Sequence, residues 1–289
     1  MDLLIQLLVT GVINGSHYAL LGIGFGLIFA TTRLVHFAYG PIFTFAAYIG
    51  WAVAGGLGLP VWLGLLAAIA GAVVLGLGSY ILVYRPLEVR NARLLVPLIA
   101  SLGMYIVLEN LVGILFGSGV RVVEDLDYGI HFVGPAFFTT IHVWQVASFV
   151  IIGLALAAFL RWTRYGKAIL AMTDDPDMAR IIGIDTVKVT LLVFALGSAI
   201  SAVPAVLILL KDGASTHMGF AAVFMAFVAV IVGGVGSLKG AAAGGFLLGL
   251  VQSLGLWQIP TEWQASIAFV ILFAMIMLRP EGLFGVRWR

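Results

Sequence analysis

A succession of long apolar runs limits what this chain can fold into more than any other feature of the sequence. A helix needs about 20 mostly apolar residues to cross a bilayer. Runs of this kind lie at Leu3–Ala30, Ala38–Ala54, Val61–Val83, Leu94–Phe116, Val143–Leu160, Val189–Leu210, Phe220–Gly236, Ala241–Leu256 and Ser266–Leu278. They predict an all-α fold, a polytopic transmembrane helical bundle of about 8–10 spans. The first run is overlong and contains Asn14-Gly15-Ser16, so a membrane-entering segment followed by a true span, with ten crossings, stays open.

The composition supports the membrane prediction and excludes several classes of protein. Hydrophobic residues make up 62% of the 289 residues and charged ones 10%, with a mean hydropathy of +1.16, whereas soluble domains are about half apolar and a quarter charged. A net charge of +2 gives no reason to expect nucleic acid. The absence of cysteine excludes disulfides and cysteine metal sites. Asp2, without Lys or Arg before the first run, argues against a cleaved signal peptide.

The distribution of Lys and Arg predicts the orientation in the membrane. One set of loops carries almost all of these residues, and the other set carries only Arg121 and Lys211. Because cytoplasmic loops are enriched in positive charge, the first set and the C-terminus are predicted to be cytoplasmic. We therefore expect one transmembrane domain over 1–289, with a cytoplasmic loop at about 161–188 and an external loop at about 117–142. The external loop is either a contact surface for an external partner or a solvated acidic loop.

The cytoplasmic loop contains the signal for a short helix. Asp175 is a good N-cap, Pro176 suits the first helical position, and Gly183 is a natural stop. Met178, Ile181 and Ile182 share one apolar face, because residues three and four apart are neighbours on a helix. That face either folds back onto the chain's own helices or docks onto a separate cytoplasmic protein.

Glycine is abundant, at 36 residues, and lies inside the apolar runs. Pairs four residues apart, such as Gly22 with Gly26 and Gly245 with Gly249, predict close helix packing. Helix-breaking segments at 36–41 and 233–237 interrupt the apolar runs, one in each half of the chain. Paired breaks of this kind indicate internal repeats with discontinuous helices near a transport path.

The sequence shows no catalytic constellation, and the five histidines have no metal-ligand spacing. Glu109 is the one acidic residue well inside an apolar run, and a buried ionisable group in lipid is by default a candidate functional residue. It could face a polar path, contact a substrate ammonium, or be protonated or hydrogen-bonded as a structural element. Asn14, His17 and Tyr39 are weaker candidates for the same path.

Taken together, a series of short motifs resembles the LivH-type permease subunit of branched-chain (hydrophobic) amino-acid ABC importers over nearly the whole chain. The matching motifs are His17-Tyr18-Ala19-Leu20, Phe37-Ala38-x-Gly40 leading to Ala47-Tyr48, Tyr84-Arg85-Pro86-Leu87, Ala100-Ser101-Leu102-Gly103 with Glu109-Asn110, Gly166-Lys167-Ala168 through Gly183-Ile184, Gly233-Gly234-Val235-Gly236-Ser237 and Leu278-Arg279-Pro280-Glu281-Gly282-Leu283-Phe284-Gly285. Each motif is short, and their common order and spacing carry the resemblance.

The resemblance implies a five-part importer in the bacterial inner membrane. A periplasmic binding protein would deliver substrate to this subunit and a second, LivM-like permease subunit, which form a heterodimer. Two cytoplasmic ATPases would supply ATP and Mg²⁺ chemistry, so this chain itself would carry no cofactor and would not be an enzyme. The family's coupling region would fall in the cytoplasmic loop, at Asp177, Met178, Ala179, Arg180, Ile181, Ile182 and Gly183.

Departures from the family pattern and rival functions stay open at this point. His36, Tyr39 and Ala46 differ from the usual family residues, which affects the expected substrate, and related systems carry urea, short amides or aromatic carboxylates. Three rival functions are less consistent with the sequence: a stand-alone ion-coupled transporter, a sugar permease and a membrane enzyme. An ion-coupled transporter usually has more than one intramembrane acid.

Overall fold

The computed structural model describes residues 2–93, 95–124, 128–258, 260 and 263–285. It is helical almost throughout, which confirms the predicted all-α membrane fold. The α-helices are α1 (Asp2–Thr32), α2 (Tyr39–Trp51), α3 (Val61–Ser79), α4 (Arg85–Val89), α5 (Leu95–Phe116), α6 (Thr140–Trp162), α7 (Arg164–Asp174), α8 (Pro176–Ile181), α9 (Thr186–Asp212), α10 (Met218–Gly233), α11 (Leu238–Gly255) and α12 (Gln264–Leu278). π-Helical turns at Ala52–Gly56 and Tyr80–Tyr84 follow α2 and α3.

Within the described chain, five helical segments are long and apolar enough to cross a membrane, or six if α10 and α11 count as one broken span. The five are Asp2–Thr32, Val61–Val89, Leu95–Phe116, Thr140–Trp162 and Thr186–Asp212. α1 and α9 are mostly buried within the protein, whereas the other three expose most of their apolar surface. Exposed apolar helices of this length require lipid or another membrane subunit around them.

The first helix runs without interruption through Asn14-Gly15-Ser16, so the alternative of two segments in this run is wrong. Gly15 serves helix packing here, because a Cβ at this position would lie 2.8 Å from the carbonyl oxygen of Phe246. The Ser16 hydroxyl donates to the carbonyl of Val12 at 2.8 Å, which satisfies it within the helix.

Both apolar runs are interrupted near the predicted breaks. The first break lies at residues 33–38, between α1 and α2, so Tyr39, Gly40 and Pro41 of the predicted 36–41 segment belong to α2. The second lies between α10 and α11, whose axes differ by 115°. Ser237 accepts a hydrogen bond from the Gly240 N–H at 3.0 Å, so it starts α11 as an N-cap.

The external loop contains a β-hairpin that the sequence analysis did not predict. β1 (Ile130–Val133) pairs antiparallel with β2 (Ala136–Thr139). Gly134 has a φ of +59° in the turn, a left-handed conformation that favours glycine. Gly-Pro between two short apolar runs was the available hairpin signal.

The chain divides into two compact units. The first comprises Met1–Gly26, Asp125–Leu154 and Phe224–Arg289. Its core contains residues of α10, α11 and α12, namely Met225, Val228, Val232, Leu248, Ala268 and Leu272. α1 meets α11 through glycines on both helices: a Cβ at Gly245 would lie 2.5 Å from backbone atoms of Ala19, and Gly249 packs on Gly15 in the same way. This confirms the close packing predicted for the Gly245 and Gly249 pair.

The C-terminal segment of the first unit closes the end of α10. The N–H groups of Leu283 and Phe284 donate to the carbonyls of Val232 and Gly233 at 2.9 and 2.8 Å. The last carbonyls of a helix lack partners within the helix, so these two bonds satisfy them at the break before α11.

The second unit comprises Leu27–Glu124 and Ala155–Val223, with α2, α3 and α9 packed together. Its centre is aromatic: Phe194 of α9 lies 5.3 Å from the ring of Tyr80 and 5.1 Å from that of His36, centroid to centroid. His36 is buried and its Nδ1 lies 2.9 Å from the Tyr84 hydroxyl. α2 also meets the start of α10 closely, since a Cβ at Gly40 would lie 2.5 Å from the Gly219 carbonyl oxygen.

Candidate functional site

The short helix predicted in the cytoplasmic loop is present as α8, with both of its ends capped. The Asp175 carboxylate accepts the N–H groups of Asp177 and Met178, each at 3.0 Å. At the other end Gly183 has a φ of +89°. The Gly183 N–H donates to the carbonyl of Arg180 at 3.1 Å, and the Ile184 N–H donates to the carbonyl of Ala179 at 3.0 Å. Together these two bonds form a complete Schellman motif.

A second helix, α7, precedes α8 and was not predicted. Thr163 caps it by accepting the Gly166 N–H at 2.9 Å. Ile169 and Met172 are buried, three residues apart on one face. A Cβ at Gly166 would lie 2.5 Å from the Cα of Leu160, so the start of α7 is held directly against the end of α6.

The end of α7 is fastened to the end of α1. The Thr173 and Thr31 hydroxyls lie 3.3 Å apart. An Arg33 Nη2 donates to the Thr173 carbonyl at 3.1 Å, where the negative end of the helix dipole favours a cation. α8 therefore projects from a helix that is fixed at both of its ends.

The chain after α8 is capped in turn. Asp185 accepts the Lys188 N–H at 3.1 Å at the start of α9, and its carboxylate pairs with the Lys188 ammonium at 3.0 Å. These bonds from Lys188 hold the pKa of the Asp185 carboxyl below its usual value. The predicted cytoplasmic loop at about 161–188 thus consists of α7, α8 and the capped start of α9.

α8 buries only Ala179 and exposes its apolar face. The exposed fractions of Met178, Ile181 and Ile182 are 53%, 77% and 67%. The reading in which these three residues fold back onto the chain's own helices is therefore wrong. Asp177 and Arg180 are also exposed, so α8 presents an apolar face flanked by charge.

Glu109 lies about two turns before the end of α5 and is hydrogen-bonded. The Tyr105 hydroxyl donates to its Oε1 at 3.0 Å, and the Nδ1 of His217 lies 3.0 Å from the same oxygen. The side chain of His217 is 83% exposed and that of Glu109 is 20% exposed. Glu109 is therefore hydrogen-bonded to a residue of a neighbouring segment, as one of the three alternatives for this residue predicted.

The sequence analysis did not identify His217 as the partner of Glu109. The two residues are 108 positions apart, and His217 stands in a short loop before α10. The sequence signal for such a pair was the carboxylate of Glu109, because an acid inside a membrane span needs a hydrogen-bond donor. Nothing in the sequence distinguished His217 from the other four histidines.

The remaining path candidates lie in different surroundings. Asn14 is half-buried on α1, and His17 is buried one turn later, with its Nδ1 3.5 Å from the Gln145 Nε2. Tyr39 is fully buried at the start of α2. Asn14 and His17 belong to the first unit, whereas Tyr39 and Glu109 belong to the second.

Among the described residues, no group of three or more His, Asp or Glu side chains is arranged to hold a metal ion. Glu109 with Tyr105 and His217 is a small cluster of hydrogen-bonded polar side chains among the described residues.

The family model of the branched-chain amino acid transport system / permease component matches residues 7–277. The chain belongs to this family. Its resemblance to LivH-type permeases, predicted from short motifs, is therefore confirmed, and the protein is a multi-pass membrane permease component.

Two similar relatives carry names of the same kind. The high-affinity branched-chain amino acid transport system permease protein LivH of Escherichia coli K12 is 32% identical over 97% of this chain and 95% of its own. The corresponding permease protein BraD of Pseudomonas aeruginosa is also 32% identical, with the same coverage of both chains. Among solved structures, PsaBC from Streptococcus pneumoniae in complex with Fab matches with a TM-score of 0.54 at 16% identity. The match covers 98% of this permease and 94% of that chain, and it shows likeness of fold.

Proposed function

We propose that this permease is one of two different membrane subunits of an ATP-driven importer of branched-chain or other hydrophobic amino acids. The second subunit is LivM-like and forms a heterodimer with it in the bacterial inner membrane. A periplasmic binding protein delivers the amino acid, and two cytoplasmic ATPases bind ATP and Mg²⁺. The full-length similarity to LivH and BraD supports the substrate class.

The exposed apolar face of α8 is the observation that carries the proposal. A six-residue helix is too short to be stable in water by itself, yet this one is capped at both ends and mounted on α7. Three large apolar side chains on a rigid projection at the predicted cytoplasmic side favour burial in a groove of another protein. In the importer that protein is the ATPase.

The elements around α8 would carry its displacement to the membrane helices. Closure of the two ATPases on ATP pushes α8, which is joined to α7 through Asp175 and to α9 through residues 182–185. α7 is bonded to the end of α1 through Thr173. A displacement of α8 therefore reaches membrane helices directly, as rigid-body movement of packed elements requires.

Glu109 is our leading candidate for contact with the substrate in the path, and Asn14, His17 and Tyr39 remain candidates of lower rank. Both described hydrogen bonds to Glu109 reach Oε1, which leaves Oε2 for a third donor. An amino-acid ammonium is a charge-assisted donor and suits this oxygen.

Replacement of Met178, Ile181 and Ile182 together by Asp tests the docking helix. We expect the protein to insert into the membrane, because these side chains are exposed and support no fold of their own. ATP-driven uptake of labelled leucine by the reconstituted importer should fall to background, since carboxylates do not enter an apolar groove.

The matched control replaces the same three residues by Leu and keeps the face apolar, so uptake should remain within a few-fold of the original. ATP hydrolysis is measured beside uptake, because uncoupling separates the two rates. Normal uptake by the Asp variant would contradict the proposal.

A further inference from the structure

The second unit contains a partly open cavity of about 240 Å³ beside α8 that the proposed transport path does not use. Its walls come from the end of α1, the π-helical turn after α3, α4, α7, α8 and the start of α9. The volume lies below the roughly 300–1,000 Å³ of drug-sized sites. A small metabolite is therefore the size of ligand that fits.

The cavity wall carries opposite charges on separate elements. Arg180 on α8 and Arg33 after α1 supply guanidinium groups, and Glu88 on α4 supplies a carboxylate. Glu88 accepts a hydrogen bond from the Tyr80 hydroxyl at 3.1 Å on Oε2. Among the described residues neither Glu88 nor Arg180 forms an ion pair within 4.0 Å. Both charges are thus available to a ligand.

Apolar and hydroxyl groups complete the wall. Leu87, Pro97 and Met172 contribute apolar surface, and Thr186 and Thr190 contribute hydroxyls from the start of α9. A ligand complementary to this wall has a carboxylate, a cationic group and an apolar body. Small α-amino acids combine these three features.

We propose that this cavity binds a small zwitterion of the amino-acid class from the cytoplasmic side. The ligand carboxylate pairs with Arg180, its ammonium pairs with Glu88, and its side chain rests against Leu87 and Met172. The choice of a transported amino acid as ligand rests on the proposed function. The two charged contacts rest on the cavity itself.

Occupancy of the cavity has a consequence for transport. The bound zwitterion links α8 to α4, so it holds the docking helix against the membrane helices. Because α8 has to move when the ATPases close, the accumulated amino acid slows its own import. The cavity is therefore a product-inhibition site.

Binding of three probes to the purified full-length chain tests the charged contacts. The probes are L-leucine, isoamylamine, which lacks the carboxylate, and 4-methylpentanoate, which lacks the ammonium. Glu88→Gln should weaken leucine binding about tenfold or more, since the negative charge that pairs with the ammonium is lost, and should leave 4-methylpentanoate binding unchanged. Arg180→Gln should weaken leucine binding and leave isoamylamine binding unchanged.

Glu124→Gln is the matched control, because Glu124 is an exposed carboxylate that does not line the cavity. This variant should bind all three probes like the original chain. Leucine binding that is unchanged in Glu88→Gln, or absent in the original chain, would overturn the proposal.

A second experiment uses the complete importer in vesicles that contain ATP. Leucine enclosed with the ATP should slow uptake several-fold in the original protein. In Glu88→Gln, the ratio of rates with and without enclosed leucine should approach one. Inhibition that persists in this variant would contradict the product-inhibition site. Failure of uptake in every sample would count against the proposed function, and the binding experiment would still decide the cavity.

Discussion

Gly166 determines, as a single residue, where α7 and α8 stand against the membrane helices. A Cβ at this position would lie 2.5 Å from the Leu160 Cα and 2.8 Å from the Leu160 carbonyl oxygen. Both atoms belong to the backbone and cannot rotate away. The helix that carries the docking face is therefore placed by the absence of one methyl group.

Gly166→Ala should displace α7 from the end of α6 and destabilise the junction. Overpacking typically costs about 1–3 kcal/mol, and contact with backbone places this substitution at the upper end. Thermal unfolding in detergent and leucine uptake by the reconstituted importer should both fall.

Gly153→Ala is the control for this substitution. Gly153 lies inside α6, where an added Cβ would have no atom within 4 Å apart from the backbone of its own helix, and Ala favours a helix. Stability and uptake should be unchanged or slightly higher. Equal effects of the two substitutions would contradict the role of Gly166.

Single residues were predictable from the sequence where their partners are local. Asp175, Pro176 and Gly183 act on atoms within a few positions, so their roles as cap, first residue and stop could be predicted and are confirmed. Glu109 could be placed inside a helix but not paired, because its partner His217 is brought close only by the fold.

At the scale of elements, α8 depends on its caps more than on its own length. Six residues give too few internal hydrogen bonds to be stable alone. The two bonds to Asp175 and the two bonds around Gly183 therefore make up much of its stability.

Asp175→Ala should loosen α8 by about 1 kcal/mol, the usual value of an N-cap. A loss of this size should make hydrogen exchange of the amides at 177–182 about fivefold faster. Uptake should fall as well, because α8 carries the docking face. Asp175→Asn keeps a side-chain acceptor of similar quality and should exchange like the original. Equal protection in all three proteins would show that α8 is held by something other than its cap.

Elements could be predicted where a long apolar run dominates and less well where the chain is polar. The apolar runs and the break at 233–237 correspond to helices and to the bend between α10 and α11. α7 was missed because its apolar face consists of a few residues in a charged stretch, of which Ile169 and Met172 are buried. The hairpin was not predicted because each of its two strands is only four residues long, too short for a clear alternating pattern.

At the scale of the whole molecule, the exposed apolar face of α8 predicts a partner protein, because lipid covers exposed spans but does not cover a helix outside them. α3, α5 and α6 are mostly exposed and apolar, and α8 adds an apolar face outside the spans. Gentle extraction from the native membrane followed by mass spectrometry should recover a second, different permease subunit and two copies of an ATPase. Recovery of this chain alone would instead favour an ion-coupled transporter, with Glu109 as the next residue to replace.

The glycine contact between α1 and α11 has a consequence for biosynthesis. Gly15 meets Gly249 and the backbone of Phe246, which are synthesised about 230 residues later. At roughly 5–20 residues per second, the ribosome needs on the order of 10 to 50 s to supply them. During that interval α1 lacks the α11 backbone against which Gly15 packs in the folded protein. Slower elongation prolongs this state, so the yield of folded permease should depend on the speed of translation as well as on the final packing.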